Sequence, residues 1–413
     1  MGFLVSPGVH VKEIDLTNVV PAVATTVGAI SCAFEKGPTS EVVTVGSEEE
    51  LLKKFGKPQT GTLDNTEEWF SAANFLQYSD QLKVVRAGGD SVLKNAAIKG
   101  TAIIIRNDTH YQESFAGGSA TVGEFAARTP GAWGNSLGVS MCATAAAYEE
   151  KLGAGKLLDG TPAAGATSIT VDAGTDFVIG DLISFYTASN YLTESAGHEG
   201  KEYEITAISS NDLTIRQKDD VNGTGLAAAL SDDQYIKRRW KFYDLFNTAP
   251  GTSQWSTDNG RATGDEVFVV VYDATGDITG YDNDVAGQRT SSVIERFGNM
   301  SKNPVAKTAQ GGSNYYPDVL FRQSEFIYWT DHISAGSNWG TDVTAAYTSV
   351  TLVDQGVLTG GTDDYSVTNG ELKTAYDYFA DTESLDINLV LSGPSGGVAD
   401  TPAGMDTHGT MIT

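Results

Sequence analysis

The sequence predicts an α+β / α/β multidomain chain: a discontinuous α/β core domain carrying a large inserted antiparallel β-sandwich region, with a further small β-barrel-like insert. Three observations carry this. Capped, amphipathic helix patterns next to apolar strand patterns occur near both ends of the chain. Short β-branched runs punctuated by Gly, Asp, Asn and Ser fill the middle, the texture of many strands joined by turns. At 413 residues the chain exceeds one ordinary domain, and its 46 glycines favour numerous turns.

The first twenty residues read as an arm. Pro7-Gly8 breaks local structure, and Val9, His10, Val11 and Lys12 alternate as a strand does, followed by Ile14 and Leu16. No hairpin partner is nearby, so its backbone groups must pair with a distant part of the chain or with another subunit. Residues 24–34 form an apolar, β-branched run stopped by Gly37-Pro38. Ser47 and Glu50 make a capping box, Leu51, Leu52 and Phe55 an apolar stripe, and Gly56 and Pro58 a stop. A second helix begins near Asp64-Asn65 with Trp69, Ala72, Ala73 and Leu76 on one face, and a strand over residues 82–87 ends at Gly88-Gly89.

Residues 90–349 carry strand-like runs at 102–105, 131–141, 264–272 and 326–329. Within them, residues 155–238 read as a small surface module, with strands at 165–171 and 180–185 and a hairpin turning at Ser210-Asn211; Arg238, Arg239 and Trp240 mark the return. Toward the end, Thr368 and Glu371 form a second capping box, Leu372, Ala375, Tyr376 and Phe379 line a helical face, and residues 385–391 read as a strand before Gly393-Pro394. The expected division is therefore an arm at 1–20, a discontinuous core domain from 21–89 and 350–413, a sandwich-like domain from 90–154 and 239–349, and the 155–238 insert.

Charge excludes several function classes. A net charge of -26 opposes binding to nucleic-acid phosphates or to an anionic membrane surface. Residues 350–413 alone hold a net of -9, for which solvation is the plain reading and a basic partner surface the sharper one. Cys32 and Cys142 lie far apart among small and apolar residues, as reduced core thiols do. No run reaches the ~18 apolar residues of a membrane helix. The five histidines (His10, His110, His198, His332, His408) form no metal or catalytic motif, and Asp331-His332 reads as an exposed loop pair. Asp273–Asp277 and Asp282–Asp284 lack the glutamate that closes a calcium loop and read as turns. Gly393-Pro394-Ser395-Gly396-Gly397 lacks the Gly-Lys-Ser/Thr of a phosphate loop, and no two carboxylates stand out as a glycosidase pair. No catalytic residue, cofactor or metal is expected.

Several of these stretches, in order, resemble the contractile tail sheath proteins of myovirus-type bacteriophages. They are Ser6-Pro7-Gly8-Val9 with Val11-Lys12-Glu13, the Ser47 to Pro58 helix, Trp69 to Ala87, residues 131–139, and Tyr376-Asp377-Tyr378-Phe379 with Leu385-Asp386-Ile387. The resemblance implies a virion structural protein, made in the host cytoplasm. It polymerises helically with itself around the tail tube, meets baseplate and tail terminator proteins, and contracts to drive the tube through the host envelope. It further implies that the arm adds a strand to a neighbour's sheet through Val9, Val11, Ile14 and Leu16. Burying these aliphatic groups yields about 5–10 kcal/mol, against about 6–12 kcal/mol for ordering six residues, so one arm is marginal by itself and suits assembly on a template. The family continues with a substantial C-terminal domain, and this chain ends at Thr413, so a monomer is expected of it alone. Sheaths of phage-tail-like bacteriocins or secretion systems are rivals within the class. A β-rich adhesin or carbohydrate-binding protein is the rival outside it, and the capped helices near the N-terminus speak against that.

Overall fold

The computed structural model describes residues 26–60, 65–347 and 350–392. The arm and the Gly393–Gly397 stretch lie outside the described residues. The architecture is mixed α/β, with several sheets and few helices.

The chain first builds β1 (Gly28–Cys32), β2 (Val43–Val45), α1 (Glu48–Phe55), α2 (Thr66–Leu76) and β3 (Leu82–Arg86). β1 and β3 are parallel, in register from Gly28 opposite Leu82 to Cys32 opposite Arg86, and β2 runs antiparallel to β3. A parallel pair needs a crossover, and the two helices fall within it. Ser47 caps α1 by accepting from the Glu50 N–H at 3.2 Å. The Glu50 carboxylate accepts from the Gly46 N–H at 2.7 Å, so the expected box closes one residue early. Asn65 does not cap α2: its amide donates to the Ala33 carbonyl and its side-chain oxygen accepts from the Gln59 N–H. Ile30, Phe34, Leu51, Phe55, Trp69 and Leu82 share the core of this unit.

Past Gly88-Gly89 come α3 (Asp108–Ser114), β4 (Phe125–Ala127), β5 (Leu137–Cys142) and α4 (Ala145–Tyr148). The apolar run at 102–105 is not a strand. Asn95 explains this: its side-chain oxygen accepts from the Ile105 N–H at 2.7 Å and its amide donates to the Ile105 carbonyl at 3.3 Å, replacing a ladder, and only a single bridge joins Asn95 and Ile103.

The chain then enters a seven-stranded antiparallel sheet. Its strands are β6 (Glu149–Lys151), β7 (Leu158–Asp159), β8 (Ser168–Val171), β9 (Leu182–Tyr186), β10 (Tyr203–Ser209), β11 (Asp212–Gln217) and β12 (Tyr235–Arg239). The spatial order is β6-β12-β9-β10-β11-β8-β7. The β10–β11 hairpin turns at Ser210, whose φ of 56° takes the left-handed region. Entry and exit lie side by side, Lys151 opposite Lys237. Leu158, Ile169, Ile183, Phe185, Tyr203 and Ile215 belong to a core of this sheet's own.

The chain returns through α5 (Gln254–Asp258), β13 (Glu266–Asp273), β14 (Val293–Ser301), α6 (Tyr316–Gln323), β15 (Ile327–Trp329) and β16 (Asp354–Val357). An antiparallel sheet runs β14-β13-β5-β16, and β15 pairs with β4. β13 is buried on both faces: Val267, Val269 and Val271 feed one core, Phe268, Val270 and Tyr272 another. Opposite Tyr272 stands Gly138, where an added Cβ would meet the tyrosine ring at 2.3 Å. Finally α7 (Asn369–Asp377) carries the complete Thr368/Glu371 capping box and packs Leu372, Ala375 and Tyr376 toward Val85 and Ala87. β17 (Leu389–Leu391) lies parallel beside β1, completing the order β17-β1-β3-β2.

Two stability outcomes follow from these contacts. Thr368→Ala is expected to cost about 1 kcal/mol, the loss of a cap. Gly138→Ala is expected to cost roughly 1–3 kcal/mol, the penalty of overpacking. Urea titration followed by tryptophan fluorescence checks both, and a Gly138→Ala protein as stable as the parent would contradict the close ring contact.

Candidate functional site

The sequence-predicted site residues Val9, Val11, Ile14 and Leu16 lie outside the described residues, as do His10 and His408. Among the described residues no group of three or more His, Cys, Asp or Glu side chains is placed to hold a metal. Cys32 and Cys142 are both free and buried, and burial pushes their thiols up, so they stay protonated. Asp273, at the start of the acidic turns, is a buried organiser of its own loop. Its carboxylate accepts from the Ser136 hydroxyl, the N–H groups of Gly276, Ile278 and Thr279, and the Thr279 hydroxyl. Burial alone would raise it, but these donors outweigh burial and hold it below the ordinary carboxylate range.

Asp331-His332 is not an exposed loop pair. The His332 ring packs 4.9 Å from Trp329, with Nδ1 at 2.6 Å from the Tyr316 hydroxyl and Nε2 at 3.3 Å from that of Tyr315. Aromatic rings of α6 and β15 pack against it and leave it half-buried. His198 is likewise internal: Nε2 donates to the Ala228 carbonyl at 3.2 Å and Nδ1 accepts from the Tyr203 hydroxyl at 2.7 Å, while the Tyr203 oxygen accepts from the Ala227 N–H. That assignment satisfies every partner with a neutral ring. Burial lowers both histidines.

The notable polar constructions lie where sheets meet. Arg86, the last residue of β3, is 2% exposed. Its guanidinium donates to the carbonyls of Gly37 (3.0 Å), Glu35 (3.2 Å) and Pro130 (2.5 Å), tying the parallel sheet to the turn ahead of β5. Burial pushes it down to about 10, with Asp363 pulling the other way. Arg238, at the exit of the seven-stranded sheet, is 1% exposed. It donates to the carbonyls of Asp176, Ala146 and Thr351 and to the Glu150 carboxylate at 2.8 Å, with Asp181 3.9 Å from Nε. Burial lifts Asp181 to about 7, against the pull of Arg238 and the Val178 N–H. Around this point Arg239 holds Glu149 and Glu202, Lys218 holds Glu202, Lys241 holds Glu204 and Asp284, and Arg289 holds Asp244. A charged layer thus stands between the seven-stranded sheet's core and the cluster around Trp240, Phe242 and Phe268. The sequence marked Arg238-Arg239 as a return point. It gave no sign of Arg86, which reads there as the plain end of a strand.

The described residues form a mixed α/β, multi-sheet arrangement. Residues 25–87 match the family model "Tail sheath protein Gp18 domain III N-terminal region". The chain is 24% identical to the tail sheath protein of Enterobacteria phage T4, over 99% of this chain and 60% of that protein. It is 25% identical to the tail sheath protein of Salmonella phage ViI, over 88% of this chain and 52% of that protein. To the tail sheath protein of Vibrio phage KVP40 it is 36% identical over 93 residues, 22% of this chain and 13% of the relative. The chain therefore spans a little over half the length of the first two relatives. It is similar over most of its length to tail sheath proteins of bacteriophages.

Arg238→Met leaves the buried Asp181 and the half-buried Glu150 without their cation. The expected cost is about 3–5 kcal/mol in urea unfolding, and a loss under about 1 kcal/mol would mean that the charged layer does not hold the sheet. The histidines give a pH dependence. Their folded values lie below the unfolded value of about 6.5, so the unfolded state binds more protons, and stability present above that pH is lost as pH falls through the folded values. Asp181, raised by burial, acts in the opposite sense. Comparing His332→Phe with the parent removes that background. Between about pH 7 and about pH 5 the variant's Tm is expected to fall less than the parent's, and parallel profiles would refute the neutral half-buried imidazole.

Proposed function

We propose that this chain is the subunit of a contractile phage tail sheath. In this reading it polymerises helically around the tail tube within the virion, and contraction drives the tube through the host cell envelope as the genome is delivered. The tube, baseplate and tail terminator proteins are its neighbours, and assembly takes place in the host cytoplasm. The observation that carries the reading is the collinear similarity to two tail sheath proteins over nearly the whole chain, with the family match at residues 25–87 falling on the β1 to β3 unit.

In the same reading residues 1–20 are an inter-subunit arm, and Val9, Val11, Ile14 and Leu16 add to a neighbour's sheet. Residues 21–89 and 350–413 form one discontinuous core domain, an assignment supported by β17 lying parallel beside β1. Residues 90–154 and 239–349 form the sandwich-like domain, and residues 155–238 the outer barrel-like insert, supported by that region's separate core. A head-to-tail strand exchange of this kind generates open helical polymers.

Electron microscopy tests the reading. A chain of the relatives' full length, carrying this sequence, is expected to form tubes, and deletion of residues 1–20 is expected to abolish them while leaving a folded monomer. Intact tubes after the deletion would remove the arm from the account. A full-length chain that never forms tubes, with or without a tail tube template, would remove the sheath assignment itself.

A further inference from the structure

One side of the seven-stranded sheet carries a patch of tyrosine and lysine. Along β12, Ile236 and Arg238 are buried, so strand alternation turns Tyr235 and Lys237 to the opposite side. Their partners across the ladders are Tyr186 on β9 and Lys151 on β6. Tyr191, in the loop after β9, completes the patch. Its ring lies 5.3 Å from that of Tyr186 and 5.8 Å from that of Tyr235. The Lys151 ammonium stands 5.6 Å over the Tyr191 ring, and that of Lys237 5.1 Å over the Tyr186 ring. All of these residues, and the whole module around them, lie in the continuous stretch 65–347.

Stability alone does not account for the patch. Lys151 and Lys237 are direct cross-strand neighbours, and like charges so placed are destabilising. Among the described residues neither ammonium has a carboxylate at ion-pair distance, since Arg239 takes Glu149 and Arg238 takes Glu150. Glu194, which faces the Tyr186 hydroxyl, is engaged by it and by the Gly200 N–H. Tyr191 holds a φ of 55°, a left-handed conformation that is an outlier for a bulky side chain. Its hydroxyl donates to the Leu152 carbonyl, which fixes the ring between Lys151 and the other two tyrosines.

These groups select a ligand by its chemistry. Two adjacent ammonium groups call for an anion. Tyrosine rings offer flat apolar surface that accepts the C–H face of a pyranose, with a hydroxyl at the edge. The loop beside them adds neutral hydrogen-bonding groups, with Thr187, Ser189, Asn190 and Thr193 all exposed. A ligand that is both anionic and built of hydroxylated rings uses all three features, whereas a bare phosphate uses the lysines alone.

We propose that Lys151, Lys237, Tyr186, Tyr191 and Tyr235 form a binding site for an acidic saccharide, a chain of pyranose rings bearing carboxylates. A carboxylate bridges the two ammonium groups and relieves their repulsion. The ring that carries it lies against the exposed parts of Tyr191 and Tyr235, and its hydroxyls reach the 187–193 loop. The site is complete within one chain, so the inference does not rest on the sheath reading or on assembly.

The test uses the full chain and two acidic probes, tetragalacturonate and an α2,8-linked sialic acid tetramer, titrated by isothermal calorimetry at low ionic strength. Methyl-esterified tetragalacturonate keeps rings and hydroxyls without the charge, and tetraglutamate keeps the charge without the rings. Saturable binding of an acidic saccharide is expected, with the ester and tetraglutamate each weaker by about tenfold or more. The double variant Lys151→Gln, Lys237→Gln is expected to weaken binding by about tenfold and to flatten its salt dependence. Tyr191→Gly, which suits the left-handed backbone, is expected to weaken it by a similar factor. The proposal is overturned if neither acidic saccharide binds, if tetraglutamate or the ester binds as well as the acidic saccharide, or if folded lysine and tyrosine variants bind as the parent does. The ester and tetraglutamate act on the unaltered protein, so a variant that failed to fold would not blunt the test.

Discussion

The fold depends on one constraint: the chain leaves and re-enters its sheets, so main-chain carbonyls are stranded where the sheets meet and must be satisfied there. A buried arginine meets this demand at each of two junctions. Arg86 takes carbonyls from Glu35 and Gly37 on one side and Pro130 on the other. Arg238 takes those of Asp176, Ala146 and Thr351, from segments far apart in sequence. An unpaired buried carbonyl is costly, and a planar guanidinium with five donors is the side chain best able to serve several acceptors at once. Lysine at either place would supply fewer donors from a single point.

The two junctions solve the charge problem differently. Arg86 has carbonyl partners and only distant carboxylates, and burial correspondingly lowers its pKa. Arg238 has Glu150 in contact and Asp181 nearby, and lies within a wider layer of paired charges. Apolar contact between the two sheets is also present, through Val178 packed against the Trp240 cluster. Apolar surfaces accept many relative placements at similar energy, whereas donors aimed at particular carbonyls accept few. The geometry of Arg238 and Arg239 therefore specifies one orientation of the mount more than it adds to net stability.

Much of the local structure was legible in the sequence, because it is fixed by neighbours along the chain. The capping box at Thr368 and Glu371, the α1 cap at Ser47, the hairpin at Ser210-Asn211 and the long apolar run of β13 all depend on residues within one element or turn. The errors share a cause, which is a partner distant in the chain or a side chain acting in place of backbone. Asn95 converts the 102–105 run from strand to irregular chain. His332 follows an aspartate in a polar-looking stretch and is enclosed by aromatic rings of α6 and β15. The site was less legible still. Arg86 closes an ordinary strand pattern, and nothing near it in the sequence shows that Pro130 will lie across it.

β13 links these observations. A strand buried on both faces cannot alternate apolar with polar residues, and Val267 to Tyr272 is accordingly apolar throughout. One face joins the core that includes Tyr316, Trp329 and Trp339; the other joins Trp240, whose indole N–H donates to the Ser140 hydroxyl at 2.8 Å. Trp240 follows Arg239 directly, so the residue that enters the β13 cluster is bonded in sequence to the charged layer that mounts the seven-stranded sheet. Any movement of that sheet relative to β13 must therefore either break the Arg238 and Arg239 pairs or drag a fully buried tryptophan through a packed core. Both are expensive.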